Sequence, residues 1–169
     1  MVTKKLDSSV DIFRGELMLF VGEDPIAFGS SAGLDISTEE LDISNKMTGD
    51  WSGSLSGKKS FTISSESLLT RKEGAMSFDT LLDKQIKGDP LDFFFGSAKA
   101  TDKDNFGGTY TKDTEQKNYT GKVIITSLSI KSDNGQIVSV SASFKGVGAL
   151  KPVEGTVSGG EGEEEDPSV

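Results

Sequence analysis

The chain has 169 residues, 34% of them hydrophobic, and its 27 acidic against 18 basic residues give a net charge of −9. It contains no cysteine and no histidine. That removes disulfide frameworks, Ser-His and Cys-His nucleophile pairs, an imidazole general base and the usual ligands of zinc, haem and iron–sulfur centres. An acidic chain presents no Lys/Arg surface to phosphates, which excludes adhesion to nucleic acid as a mode of action.

From the N-terminus, Met1–Asp7 carries lysines but no apolar core follows, so no secretory signal is expected. The longest apolar run is Leu17–Val21, too short to cross a membrane as a helix, and residues 16–21 read as a strand. Residues 25–28 and 34–37 look like strand pieces interrupted by Gly29-Ser-Ser-Ala-Gly33, and 39–49 reads as polar and mostly irregular. Trp51, Gly53 and Leu55 alternate with Ser52, Ser54 and Ser56. Gly57-Lys58-Lys59 follows, and Phe61 and Ile63 resume the alternation, so a β-hairpin turning at 57–59 is expected.

Residues 77–88 change period. Ser77 suits a helix N-cap and Asp79 the first turn, while Phe78, Leu81, Leu82 and Ile86 share one face. Lys84 and Lys87 suit the last turn, Gly88 the C′ position, and Pro90 lies just beyond. Leu91–Phe95 reads as a strand covered on both faces, and 99–118 as a long exposed loop. Strands at 121–132 and 137–144 flank Asp133-Asn134-Gly135 as a hairpin. In the second, Val138, Val140, Ala142 and Phe144 alternate with Ser139, Ser141 and Ser143. Residues 151–169 hold six acidic residues against Lys151, which is −5 of the total charge, and are expected to be a disordered tail on a single body at 1–150. The fold class is mainly β, an antiparallel β-sandwich or open barrel with one flanking α-helix at about 77–88.

Several local patterns have a functional and a plainer reading. Asp102, Asp104 and Asp113 fall partly on a calcium-loop spacing, but Phe106 stands where an oxygen ligand is needed, so an acidic loop is the better account. Gly29–Gly33 lacks the Gly-Lys-Ser/Thr ending of a phosphate loop and reads as a bulge or turn. Asp35, Glu39 and Glu40 read as a solvated acidic surface, not a glycosidase pair. Trp51, the sole tryptophan, is expected in core or interface through its alternation with Leu55.

Three segments together resemble the major tail-tube protein family of long-tailed (siphovirus-type) bacteriophages and prophages. They are Leu34–Leu69 with its D-I-S, G-D-W and L-x-G elements, the helix-to-strand unit SFDTLLDKQIKGDPLDFFFG at 77–96, and GKVIITSLSIKSDNGQIVSVSASFKGVGAL at 121–150. The resemblance implies a structural subunit, not an enzyme, that needs no cofactor. It implies that subunits join their sheets in six-membered rings, which stack into a virion tail tube with other tail proteins. DNA would then be a non-adhesive passenger, the host cytoplasm the place of assembly, and no membrane a partner. A tube component of a secretion or contractile-injection machine is an alternative, and a β-sandwich ligand-binding module is another. Residues expected at contacts between rings or subunits are Glu39, Glu40, Asp42, Lys46, Asp50, Trp51, Asp102, Asp104 and Tyr110. The strands at 51–56 and 137–144 are candidates for the channel wall or a neighbour contact.

Overall fold

A computed structural model describes residues 5–9, 12, 17–101 and 108–156. Its elements are β1 (Leu17–Val21), β2 (Asp24–Pro25), β3 (Gly29–Asp42), β4 (Ser54–Leu68), α1 (Phe78–Lys87), β5 (Leu91–Ala100), β6 (Tyr110–Lys112), β7 (Asn118–Lys131) and β8 (Ser139–Val153). The strands form one antiparallel sheet in the order β2-β1-β5-β7-β8-β4-β3, with β6 paired to β5. Leu19 and Val21 of β1 share a core with Phe61 and Ile63 of β4, Phe93 and Phe95 of β5, Val123 and Ile125 of β7, and Ala142 and Phe144 of β8. Ala32 and Leu34 of β3 pack against the same cluster. Strands from both ends of the sheet order therefore meet, and the sheet is curled over a single core as an open barrel. Each large side chain fully buried there contributes on the order of 1.5–3 kcal/mol.

The helix closes one side of this core through Leu81, its one buried residue. Asp79 in the first turn and Lys84 and Lys87 in the last complement the helix dipole, and Gly88 ends it at φ 73°. Ser77 occupies the N-cap position but makes no side-chain capping bond; its hydroxyl accepts from the Thr70 N–H at 3.3 Å instead. Ile86, expected on the buried face, is exposed, because the amphipathic stripe is wider than the contact with β7 that it meets.

Where the sequence suggests a hairpin turning at 57–59, β4 runs straight through from Ser54 to Leu68. Thr38 faces Lys59 and Glu40 faces Ser56, so Gly57 and Lys58 together oppose Glu39 in a β-bulge. A Cβ at Gly57 would lie 3.0 Å from the Glu39 carbonyl oxygen and 3.2 Å from Leu41, so this glycine allows a close approach between strands and not a reversal. β3 is likewise continuous over 29–42, not two pieces, and its polar second half is strand because backbone pairing with β4 does not require apolar side chains. The Gly29–Gly33 segment holds a bulge at Ser30 inside that strand, as the plainer reading has it.

The remaining elements follow the expected order with moved ends. The hairpin at Asp133–Gly135 is present, with Gly135 at φ 74° and the Gln136 N–H bonded to the Asp133 carbonyl at 3.1 Å. Val140, Ala142 and Phe144 are buried in alternation with their serine neighbours. Phe93, Phe94 and Phe95 are all buried, as a strand covered on both faces requires. The loop expected at 99–118 contains the end of β5, all of β6 and the start of β7. β8 reaches Val153, past position 150.

Candidate functional site

The pairing of β4 with β8 ends at Thr62 and Lys145, while β3 and β4 remain paired as far as Asp42 and Ser54. Beyond that split the two strands form a two-stranded arm, closed by residues 43–53. Its end is held by local bonds: the Ile43 N–H to the Gly53 carbonyl (2.9 Å), the Gly53 N–H to Ser44 Oγ (3.0 Å), and the Met47 N–H to Asn45 Oδ1 (2.8 Å). The Ser44 N–H donates to Asp42 Oδ1 at 2.8 Å. Hydrogen bonding from Ser44, its hydroxyl first and its backbone N–H second, holds the Asp42 carboxyl below the ordinary carboxylate range.

Six of the expected contact residues lie together on this arm. Glu39, Glu40 and Asp42 are exposed on β3, with Glu40 accepting a hydrogen bond from the Ser54 hydroxyl. Lys46, Asp50 and Trp51 border a shallow open hollow at the tip. Trp51 lies outside β4 and is 85% exposed, so it belongs to no core of this chain. The chain offers the tip further apolar groups that alternation did not single out: Leu41 and Leu55 face each other across the arm, Ile43 follows, and Met47 is 95% exposed. Tyr110 opens β6, opposite Ala100. Asp102 and Asp104 lie outside the described residues; Asp113, the last member of the calcium-like spacing, pairs with Lys99 at 3.7 Å.

The antiparallel registers send these segments the same way. β8 residues beyond Lys145, β4 residues before Thr62 and β5 residues beyond Phe95 all leave the sheet at one end. The arm, Tyr110 and the root of the acidic tail therefore share that end. The tail root is tied down there, with the Thr156 N–H bonded to the Thr114 carbonyl (3.2 Å) and Lys117 paired to Glu154 (2.9 Å).

The outer face of β3, β4, β8 and β7 carries rungs of small hydroxyl groups. Gly33, Ser64, Ser143 and Ser127 form one rung, and Ser31, Glu66, Ser141 and Ser129 the next. Ser37 and Ser60 extend it, their hydroxyls 2.9 Å apart. The lysines at its borders are balanced, Lys122 by Asp92 at 3.3 Å and Lys131 by Asp133 at 3.2 Å. β3 forms the free long edge of the sheet, paired on one side alone.

An uncovered sheet edge, an apolar arm with no place in its own core and a face paved with serine define a subunit built to be completed by its neighbours. The sequence profile of the phage tail tube proteins matches residues 24–152, and the chain belongs to that family. Its fold is similar to a chain of the virion of a native gene transfer agent particle, with a TM-score of 0.59 at 16% identity over 88% of this chain and 99% of that one. It is similar as well to the SPP1 tail tube, with a TM-score of 0.59 at 14% identity over 85% and 80%. A chain of the sheath/tube terminator of an extracellular contractile injection system aligns with a TM-score of 0.53 at 14% identity over 90% and 99%. No curated protein matches the sequence.

Proposed function

We propose that this protein is the repeating subunit of a virion tail tube, in which six copies close a ring and rings stack around a channel. The observation that carries this reading is the free 14-residue edge of β3, whose backbone groups have a partner on one side alone. A soluble protein covers or blunts such an edge unless another chain pairs with it. A heterologous contact repeated around an axis closes a ring without leaving an edge. A tail of an empty gene transfer agent particle with a similar fold has C6 symmetry, which supports six as the number.

The serine face of β3, β4, β8 and β7 is the surface best suited to line the channel. It offers passing DNA neither a cluster of unpaired cations nor an apolar platform, and the net negative charge of the chain repels phosphates. DNA is then a passenger in genome ejection, and the protein acts by shape, without a catalytic or cofactor role. The arm residues Glu39, Glu40, Asp42, Lys46, Asp50 and Trp51, with Tyr110, serve as contacts to other copies. The similarity to a contractile-injection chain favours a second reading, a tube inside a sheath, which the neighbouring genes would reveal by encoding a sheath.

Electron microscopy of the concentrated protein tests the proposal. Rings or tubes with a central hole are the expected result; a species that stays monomeric at every concentration and salt overturns it.

A further inference from the structure

Phe28 is the one residue other than glycine at positive φ among the described residues, at φ 51°. An L-residue with a bulky side chain is disfavoured there, and such outliers persist where function requires them. The surroundings hold it in place: the Ala27 N–H bonds the Met76 carbonyl at 2.9 Å and the Leu68 N–H bonds the Phe28 carbonyl at 3.1 Å. The strained backbone does not serve burial, because Phe28 is 62% exposed. Beside it, across successive strands, lie Leu68 and then Ile137, the latter 75% exposed; Leu68 faces Ser139 and the Leu69 N–H bonds the Val138 carbonyl at 3.0 Å. Arg71 and Lys72 follow within four residues of Leu68 and are exposed.

This apolar row stands at the end of the sheet opposite the arm. Phe28 immediately precedes β3 and the arm is its far end, so the 14 residues of β3 separate the two by about 45 Å. The two surfaces match in chemistry. The arm from 39 to 55 presents Leu41, Ile43, Met47, Trp51 and Leu55, with four acidic residues against Lys46, a net of −3. The row presents apolar groups beside Arg71 and Lys72, in a chain that is otherwise acidic. An extended strand cannot double back, so no copy can satisfy both surfaces by itself.

We propose that the arm tip of one copy docks on the Phe28–Leu68–Ile137 row of a second copy in the adjacent ring, with Trp51 as the anchor and Arg71 and Lys72 facing the arm carboxylates. The inference rests on the tube reading. If sheet sides join laterally around the ring, strand ends are the surfaces left to face the rings above and below. A head-to-tail contact of this kind does not close on itself, and it lengthens a tube by one ring at each repetition.

The test is assembly of the full chain, followed by sedimentation and electron microscopy, for the wild type and for Phe28→Gly, Ile137→Ser and Trp51→Ser. Glycine is at ease at positive φ, so Phe28→Gly is expected to keep or raise the thermal midpoint while raising the concentration needed for tubes at least tenfold and leaving single rings. An equimolar mixture of Phe28→Gly and Trp51→Ser has one working surface on each copy and is expected to yield paired rings and no longer tubes. Arg71→Glu with Lys72→Glu is expected to block stacking, and adding Glu39→Lys with Asp50→Lys to restore it. Tubes from Phe28→Gly at the wild-type concentration overturn this inference and leave the tube reading standing; a wild type that forms neither rings nor tubes overturns both.

Discussion

The ring of Phe61 stands where a side chain at position 146 would be, and Gly146 makes room for it: a Cβ built there would overlap the ring. Thr62 and Lys145 are the last paired residues of β4 and β8, and Phe61 and Gly146 are the next along. The ring turns inward at that point, 5.6 Å from that of Phe93, and the two strands part. The arm thus begins where the core inserts an aromatic wedge into the sheet.

Gly146→Ala should accordingly be costly although the added group is one methyl. The clash is with a buried ring, not with the end of a flexible chain, so overpacking of about 1–3 kcal/mol is expected. Chemical denaturation measures it. Gly135→Ala is a useful contrast: nothing lies near a Cβ there, and its cost should come from φ 74° alone, about 1 kcal/mol.

If the serine face lines the channel, its neutrality is testable. Ser141→Lys with Ser143→Lys places two cations on it at solvated or half-buried positions. Stability should change by less than about 1 kcal/mol. Assembled tubes of the variant should retain duplex DNA at low salt and release it as salt rises, whereas wild-type tubes retain none. A gel-shift titration against salt reads both.

How far the sequence discloses this molecule depends on what each segment packs against. Val140, Ala142 and Phe144 face a core and their serine neighbours do not, so period two is written into the chain. The helix and the turn at Gly135 are legible for similar local reasons. The arm is not, because both of its faces meet solvent or another copy and its strand state comes from backbone pairing. Gly57-Lys58-Lys59 has turn chemistry, yet the strands use that glycine for close approach at a bulge. Trp51 alternates with Leu55 and still stands outside the strand. Six of the nine expected contact residues fall on one arm, which reflects the clustering of polar residues there. Phe28 leaves no signal at all, since nothing in Ala27-Phe28-Gly29 announces a left-handed phenylalanine.

The Asp42 turn gives the arm a dependence on acid. Hydrogen bonds from Ser44 lower the folded-state pKa of Asp42, so the deprotonated carboxylate is the form that the native turn favours. Its contribution is present above the unfolded value of about 3.9 and is lost as pH falls through the lower folded value. Amide exchange at Ser44 should quicken over that window while the core strands stay protected. Asp42→Ala should quicken it at neutral pH and remove the pH dependence; an unaltered exchange profile would count against the turn's role.

Phe94 supports the opposite side of the barrel from the arm, and its loss should be the most damaging of these changes. Its ring packs edge-on against Phe20 at 5.5 Å and 87°, on the face of β5 away from Phe93 and Phe95. Lys112 of β6 lies 5.8 Å above the ring and pairs with Glu23 at 3.1 Å, so Phe94 helps hold β6 to the sheet. Phe94→Ala would open a cavity between Phe20 and β6 and remove the ring pair, a loss of about 3–5 kcal/mol. In a domain of this length that lowers the melting midpoint by about 10 °C. Lys112→Met keeps most of the apolar contact and removes the charge, and on a half-buried site it should cost less than about 1 kcal/mol. The two variants separate packing from charge. If Phe94→Ala and Lys112→Met destabilise equally, β6 is held by its ion pair; a large loss for Phe94→Ala alone assigns it to the aromatic contact.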